Sequence, residues 1–265
     1  MFYDASLKKR AEFPFISPLS LSVSPAGSRI AVLQGRLTVH DGTTGEKILQ
    51  TEVKPAVALR GRLECHSQEE GWLAVNNHEG EDPNLVMFGW SDLKTRTALR
   101  SQLPKARRIA VDDNSGLIVL GDGKRLELIE PDPERTSRIV ELPAKGSIVS
   151  LSTGGARAYA GTSVGEIAAV DLKQGGVLWS HQMAEKTTVK LGASASGNVL
   201  CTAQERKTGA TYEIALAAFA VEKEKLAEIS RTMVRSIRRV NDICIIEASG
   251  VAVIAADGLA AWTFR

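Results

Sequence analysis

A polar tight turn that ends in glycine and leads into a short apolar run occurs six times along this chain of 265 residues. The turn reads VSPAGSRIAVL in its first copy and VDDNSGLIVL in its third, and its glycines are Gly27, Gly71, Gly116, Gly155, Gly197 and Gly250. Successive glycines are 44, 45, 39, 42 and 53 residues apart. A period of about 40–50 residues is typical of repeats that each form one four-stranded unit. This period constrains the fold more than any other feature of the sequence.

A second polar turn follows inside the repeats at a similar distance. In the first repeat DGTTGE begins at Asp41, and in the third EPDPERTS begins at Glu130, each 14 residues after the glycine of its repeat. Gly, Asp, Asn and Thr in these turns suit a chain reversal. The segments between turns are short and rich in Val, Ile and Leu, which indicates antiparallel strands. Each repeat is therefore interpreted as four strands, LSLSV, RIAVL, RLTVH and EKILQTEV in the first.

One segment has a composition that favours a different structure. Residues 214–230, IALAAFAVEKEKLAEIS, are rich in Ala, Leu, Glu and Lys, which have high helix propensity. The repeat nevertheless requires two strands there, and tertiary context overrides propensity. We therefore predict two strands in this segment.

The repeats together predict an all-β protein that consists of a single six-bladed β-propeller with four-stranded antiparallel blades. The predicted blades cover residues 14–54, 55–104, 105–144, 145–184, 185–232 and 233–265. The sixth repeat ends at LAAWTFR, which is its third strand. We expect residues 4–13 to supply the missing fourth strand and to close the ring, because closure leaves no open sheet edge.

Two repeats resemble known propeller families. The fourth repeat resembles the quinoprotein-type (PQQ-like) repeat at Ala169, Asp171, Gly175 and Trp179. It departs from that repeat at Gln174, where threonine is usual. The first repeat resembles WD-type repeats in SPAGSRIAV and HDGTTGE, with His40-Asp41 in place of Trp-Asp. The resemblance implies a propeller in which Trp179 docks between blades, and it implies no particular activity because propellers host many functions.

The composition argues against several other classes of protein. Hydrophobic residues make up 43% and charged residues 24%, and the net charge of +2 gives no strong overall field. Cys65, Cys201 and Cys244 are odd in number and lack C-x-x-C spacing, which argues against a disulfide framework and a structural zinc site. The sequence shows neither a secretory signal nor a long apolar run. We therefore expect a cytoplasmic protein that does not enter a membrane.

The sequence contains no strong signature of catalysis. The histidines, His40, His66, His78 and His181, lack the i+2 or i+4 spacing of metal ligands. Phosphate-binding and nucleophile-elbow motifs are also missing. The alternative is a hydrolase or lactonase that holds a metal in a central channel, with the candidate ligands Glu64, Asp112, Asn241 and Asp242. The sequence favours a protein that is not an enzyme and has no cofactor.

Basic residues recur just before or at the start of the first strand in five of the six repeats. The predicted partner-binding residues are Arg60, Arg62, Lys105, Arg107, Arg108, Lys190, Arg235, Arg238 and Arg239, and Lys145 and Lys186 lie at the same place in their repeats. All connections between one blade and the next emerge on the same face of a propeller, so these residues predict a cationic face. Several turns expected on the other face are acidic. A face of this kind steers an anionic partner.

The function predicted on this basis is a non-catalytic scaffold for protein–protein interaction, or an accessory subunit of a larger complex, that binds an acidic protein. Trp72, Phe88 and Trp90 are candidate apolar anchors for such an interface. Nucleic acid is the weaker candidate partner. Aromatic residues make up only 5% of the chain, and basic and aromatic residues are not interleaved as in proteins that stack bases.

Overall fold

The computed structural model of the protein describes residues 2–3, 9–11, 20–23, 28–33, 36–52, 62–65, 72–76, 84–132, 134, 137–222, 225–236, 238–240, 242–246, 250–255 and 259–264. Every regular element in these residues is a β-strand. The all-β prediction is therefore confirmed. The described residues include no helix with the length and apolar character that a membrane crossing requires.

Three four-stranded sheets come from the first half of the chain. Strands β3 to β6 form the first sheet and are Ser20–Val23, Arg29–Leu33, Leu37–Asp41 and Lys47–Thr51. Strands β7 to β10 form the second sheet and are Arg62–Cys65, Trp72–Asn76, Leu85–Gly89 and Thr95–Leu99. Strands β11 to β14 form the third sheet and are Arg108–Val111, Ile118–Asp122, Arg125–Ile129 and Arg138–Glu141. Within each sheet the strands lie side by side in chain order.

Two more four-stranded sheets and a three-stranded sheet follow. Strands β15 to β18 form the fourth sheet and are Ile148–Gly154, Arg157–Thr162, Glu166–Asp171 and Val177–Gln182. Strands β19 to β22 form the fifth sheet and are Thr188–Ala193, Val199–Thr208, Thr211–Val221 and Leu226–Ser236. Strands β23 to β25 form the sixth sheet and are Asp242–Ile246, Val251–Ala255 and Leu259–Thr263. Neighbouring strands in these sheets pair antiparallel.

The segment whose composition favours a helix contributes to two strands. Residues 214–221 lie in β21 and residues 226–230 lie in β22, and these strands pair from Tyr212 opposite Ser236 to Val221 opposite Leu226. The prediction of two strands is confirmed. The apolar residues of β21 are buried on both faces of the sheet, and this burial outweighs the weak helix preference of alanine-rich sequence.

Aspartates fix the turns between the third and fourth strands. Oδ1 of Asp41 accepts hydrogen bonds from the backbone N–H groups of Thr43 at 2.8 Å and Thr44 at 2.7 Å. These bonds hold the pKa of Asp41 below its usual value. The same side-chain-to-backbone contact recurs in later sheets at Asp92, Asp132 and Asp171. The second polar turn of the repeat therefore has a physical cause, since a short carboxylate stabilises the reversal.

The chain forms two compact units, residues 1–120 with 129–138 and residues 121–128 with 139–265. The first unit has a core between the first and second sheets that includes Leu33, Val39, Val75 and Trp90, and a second core around Met87 and Ile118. The second unit also has two cores. One of them joins the fourth and fifth sheets, and the other joins the fifth and sixth sheets.

Trp179 lies in the core between the fourth and fifth sheets. It is buried, and its ring centroid is 6.2 Å from that of Tyr159. Val189 and Leu200 of the fifth sheet belong to the same cluster. A tryptophan at this position buries a large apolar area between two sheets, which is the structural role that the resemblance implies.

The N-terminal residues pair differently from the predicted closure of the ring. β1 (Phe2–Tyr3) pairs with β2 (Lys9–Ala11) in a two-stranded sheet. Among the described residues, the sixth sheet has three strands. Ring closure by residues 4–13 is therefore not confirmed.

Candidate functional site

The predicted basic residues of the first unit lie at the starts of the second and third sheets. Arg60 lies outside the described residues, and Arg62 begins β7 with its side chain outside them. Lys105 and Arg107 are exposed in the connection between β10 and β11. Arg108 begins β11, is half-buried, and its Nη1 donates to the carbonyl oxygen of Arg107 at 3.0 Å. The structure thus brings three cations together at this loop.

A chain of buried polar groups holds the loop that carries Lys105 and Arg107. Nδ2 of Asn76, at the end of β8, donates to the carbonyl oxygen of Ala106 at 2.8 Å. Nδ2 of Asn84 donates to Oδ1 of Asn76, and Oδ1 of Asn84 accepts from the backbone N–H of Ser101 at 2.8 Å. The Ser101 hydroxyl accepts in turn from the N–H of Leu103. Because buried amides are costly to leave unpaired, these bonds restrict the loop to one conformation.

The basic residues of the second unit cluster at one end of the fifth sheet. Arg235 is near the end of β22, and Arg238 and Arg239 are exposed in the connection to β23. Arg239 lies over the ring of Tyr212, with Cζ 5.5 Å from the ring centroid, and its Nε donates to the Tyr212 hydroxyl at 3.4 Å. Nη2 of Arg235 is 3.5 Å from Oε1 of Glu213. This surface ion pair is weak because both groups meet water.

A buried carboxylate holds the connection that carries these arginines. Oε1 of Glu205, on β20, accepts a hydrogen bond from the backbone N–H of Val240. Glu205 is only 4% exposed, and its Oε2 has no hydrogen-bond partner among the described residues. Burial raises the pKa of Glu205, while the bond from Val240 and the charges on Lys190 and Arg239 act in the opposite direction. Glu205 therefore fixes the backbone directly after Arg239.

Lys190 has a different environment from the exposed arginines. It lies on β19, is half-buried, and its Nζ donates to the carbonyl oxygen of Val149 on β15 at 3.0 Å. This bond joins the fifth sheet to the fourth. The sequence placed Lys190 on the binding face, but the structure gives its ammonium group a contact between sheets. Lys145 and Lys186 are exposed in their connections.

The structure adds two cations that the sequence did not single out, Arg206 and Lys207. Both are exposed near the end of β20. In the backbone register of β20 with β21, Lys207 lies opposite Tyr212 and Arg206 lies opposite Glu213. The pairing of β19 with β20 stops at Glu205, so the hairpin of β20 and β21 extends beyond the first strand of its sheet. The signal in the sequence was the basic pair directly before the turn TGAT, and the structure places this pair on a hairpin of two long strands.

The candidate ligands of a channel metal do not form a site in the described residues. Asp112 is buried in the turn after β11, where its Oδ2 accepts from the N–H and the hydroxyl of Ser115. Asp242 is exposed, and its Oδ1 accepts from the N–H of Ile243. Asn241 and the side chain of Glu64 lie outside the described residues. No group of three or more His, Cys, Asp or Glu with metal-binding geometry occurs in the described part of the chain.

The candidate aromatic anchors belong to the core of the first unit. Phe88 and Trp90 are buried between the first and second sheets, and Trp72 is half-buried against the neighbouring core. The expectation that these rings anchor a partner is corrected for Phe88 and Trp90. Phe88 on β9 and Trp90 directly after it face an adjacent sheet. A large aromatic ring in such a position buries a large apolar area.

Cys201 is a buried free thiol in the core between the fifth and sixth sheets. Burial raises its pKa to about 12. The thiolate is the reactive form of cysteine, so Cys201 is a core residue with low reactivity. The side chains of Cys65 and Cys244 lie outside the described residues.

Solved structures match this architecture, whereas no protein-family model and no curated protein matches the sequence. The β-propeller domain of Cps50 (Swd1) from Myceliophteria thermophila aligns with a TM-score of 0.70 and 13% identity, over 93% of this chain and 83% of that chain. The C-terminal WD40 domain of Sif2 aligns with a TM-score of 0.67 and 12% identity, over 94% of this chain and 70% of that chain. The WD40 repeats of RRP9 align with a TM-score of 0.68 and 11% identity, over 90% of this chain and 72% of that chain.

These alignments show that the chain has the fold of a WD40 β-propeller. At 10–13% identity they show the fold alone. The WD-type part of the resemblance is thereby supported at the level of the fold, and the PQQ-like part is not confirmed.

Proposed function

We propose that the protein is a non-catalytic interaction scaffold, or an accessory subunit of a larger complex, and that it binds an acidic protein through the loops that precede β11 and β23. One observation carries the proposal. In each loop, exposed cations lie next to backbone that a buried polar side chain holds in place, namely Asn76 for the first loop and Glu205 for the second. A backbone contact of this kind, made at Ala106 and at Val240, reduces the conformational freedom that the neighbouring cations lose when a partner binds.

The chemistry of the side chains favours an acidic protein as the partner. Arg107, Arg238 and Arg239 present planar guanidinium groups that bind carboxylates through two parallel hydrogen bonds. Clustered cations on a nearly neutral protein give a local field, and such a field increases the rate of encounter with an anionic surface. Arg206 and Lys207 add to the cluster in the second unit.

The WD40 fold supports a role in binding. Loops that emerge from rigid sheets carry function in many folds, because the sheets fix the positions of the loops. The fold alone selects no activity, so the proposal depends on the basic loops. We place the protein in the cytoplasm as part of the same proposal.

The proposal includes a single propeller domain with six blades. Apart from the two-stranded sheet of β1 and β2, the described residues form six sheets, one for each segment that the sequence repeat predicts to be a blade. Closure of the sixth blade by residues 4–13 stays a prediction. Deletion of residues 1–13 would then lower the midpoint of thermal unfolding by several degrees, and an unchanged midpoint would contradict closure.

Affinity capture from a native lysate tests the proposed partner. The bait is compared with a variant that carries Arg107→Glu, Arg108→Glu, Arg238→Glu and Arg239→Glu. A matched control reverses four exposed lysines at or beside the turns between third and fourth strands, Lys47, Lys94, Lys173 and Lys225. We expect the wild type and the lysine control to capture the same protein in stoichiometric amount. We expect the arginine variant to lose it.

Salt and nuclease separate the two partner classes in the same experiment. A protein partner should survive nuclease treatment and moderate salt, because an interface with an apolar part depends less on salt. A nucleic acid should disappear with nuclease, and its affinity should fall steeply with salt as counterions are released. Equal capture by the wild type and the arginine variant would overturn the proposal.

A further inference from the structure

β22 differs from every other outer strand that the structure describes in full. It has 11 residues, whereas the outer strands β6, β10, β14 and β18 have 4 to 6 residues. It is the last strand of the fifth sheet and pairs with β21. No other described strand pairs with its far edge. The fifth sheet thus ends in a long row of backbone donors and acceptors.

β22 carries three of the seven large apolar side chains that are exposed among the described residues. Ile229, Met233 and Val234 are 46%, 61% and 39% exposed. Met233 is the most exposed large apolar side chain among the described residues. Long exposed edges with apolar side chains promote pairing with another chain, and proteins usually shorten them or protect them with charge. An edge that is both long and apolar therefore indicates a partner strand.

The charge on this edge selects the kind of partner. Arg231 and Arg235 lie on the same face of β22 as Met233, because alternate residues of a strand share a face. Arg231 pairs with Glu228, and Arg235, near the end of the strand, has among the described residues only the weak surface pair with Glu213. Arg238 and Arg239 follow it in the chain. A second copy of this chain would bring the same positive charge to both sides of the new pair, which disfavours self-association. An acidic strand would meet complementary charge.

We infer that β22 binds an extended segment of an acidic partner protein, which adds to the fifth sheet as a further strand. The backbone of the segment forms hydrogen bonds with the outer edge of β22, its apolar side chains pack on Met233 and Ile229, and its carboxylates lie toward Arg235, Arg238 and Arg239. Strand addition derives affinity from the backbone and specificity from alternate side chains. The inference rests on the proposed function, because it assigns a mode of binding to the acidic partner.

The test uses the full chain and a fluorescent synthetic peptide as long as β22. The sequence of the peptide is a run of alternating valine and threonine, which is followed by three aspartates. Two further versions carry backbone N-methyl groups on alternate residues, one on the odd set and one on the even set. Only every second N–H of a strand points toward a given neighbour. The inference predicts that one methylated set weakens binding at least about tenfold while the other set binds within about twofold of the parent peptide.

Substitutions in the protein complete the test. Met233→Glu should weaken peptide binding about tenfold, because it adds a like charge and removes an apolar contact. The matched control is Leu178→Glu, at an exposed apolar residue on β18, and it should leave binding unchanged. Both positions are exposed, so both variants should fold.

Three outcomes would overturn the inference. They are equal effects of the two methylated sets, equal binding by the Met233→Glu variant and the wild type, and a wild-type dimer in sedimentation that Met233→Glu dissociates. If the arginine variant loses its captured partner while Met233→Glu retains it, the proposed function stands and strand addition is wrong. If both variants retain the partner, the proposed function fails as well.

Discussion

The backbone N–H of Val240 donates a hydrogen bond to the carboxylate of Glu205, which precedes it by 35 residues. The first unit contains the same relationship between Asn76 and the carbonyl oxygen of Ala106, which are 30 residues apart. In both cases a buried polar side chain near the end of a second strand holds the loop before the first strand of the next sheet. Both loops carry exposed arginines. The fold thus positions its cations through a contact that recurs in two repeats.

The contact between Glu205 and Val240 should contribute measurably to stability. Glu205→Ala leaves the buried N–H of Val240 without an acceptor, so the free energy of unfolding should fall by about 1–3 kcal/mol. Glu205→Gln keeps a carbonyl oxygen at this place and should cost less than Glu205→Ala. Urea unfolding followed by circular dichroism measures both variants. A loss for Glu205→Gln as large as that for Glu205→Ala would contradict the assigned role of the oxygen.

The stability contribution of Glu205 should also depend on pH. Burial raises the pKa of Glu205 in the folded protein above its unfolded value near 4.5, even though Lys190 and Arg239 lie close enough to oppose the shift. The folded state therefore binds the proton more tightly than the unfolded state. The contribution is fully present below the unfolded pKa and is lost as pH rises through the folded pKa.

Comparison with Glu205→Gln isolates this effect, because the variant has no proton to lose. The free energy of unfolding of the wild type minus that of Glu205→Gln should fall as the pH rises from below the unfolded value near 4.5 through the raised pKa of the folded state. Urea titrations at a series of pH values provide this difference. If this difference stays constant or rises over the same range, burial does not destabilise the ionised form of Glu205 in the folded protein.

Gly192 tests the close approach of the fifth and sixth sheets. A Cβ at Gly192 would collide with the backbone carbonyl oxygen of Ile243 on β23. Gly192→Ala must therefore displace backbone, and we expect a loss of about 2–4 kcal/mol in the free energy of unfolding. Gly176→Ala is the matched control, because no described residue other than its chain neighbours has an atom within 4 Å of the Cβ position. Equal stability of the two variants in urea would contradict the packing of β19 on β23.

Cys201 should resist modification while the protein is folded. Its thiol is buried and its pKa is raised to about 12, so almost no thiolate is present at neutral pH. Iodoacetamide at about pH 8 should leave the peptide that contains Cys201 unlabelled in the native protein and should label it after denaturation in urea. Mass spectrometry of the digested protein measures both. Rapid labelling of the native protein would place Cys201 outside the core.

Local signals in the sequence predicted most of the strands. The glycine-ended turn and the aspartate turn punctuate the chain, and the structure places a strand after each glycine turn that it describes. The two strands at residues 214–230 followed from the period alone, against the local helix preference. The repeat outweighed propensity because burial of β21 on both faces depends on neighbouring sheets.

The side-chain partners could not be predicted in the same way. The position of Lys190 in its repeat predicted the same role as for Arg239, yet Lys190 donates to the carbonyl oxygen of Val149 on another sheet. Phe88 and Trp90 were candidates for a surface, yet both are buried between two sheets. Contacts of this kind join residues that are far apart in the chain. They depend on how each sheet faces its neighbour, which period and composition do not specify.

The most direct test of the central claim is the equilibrium affinity of the purified captured partner for the wild type, for the four-arginine variant and for the lysine control. Fluorescence anisotropy at two salt concentrations measures all three. The account predicts that reversing Arg107, Arg108, Arg238 and Arg239 weakens binding at least about a hundredfold, while the lysine control binds within about twofold of the wild type. Equal losses in both variants would show that only net charge matters, and unchanged affinity in the arginine variant would show that the partner binds elsewhere.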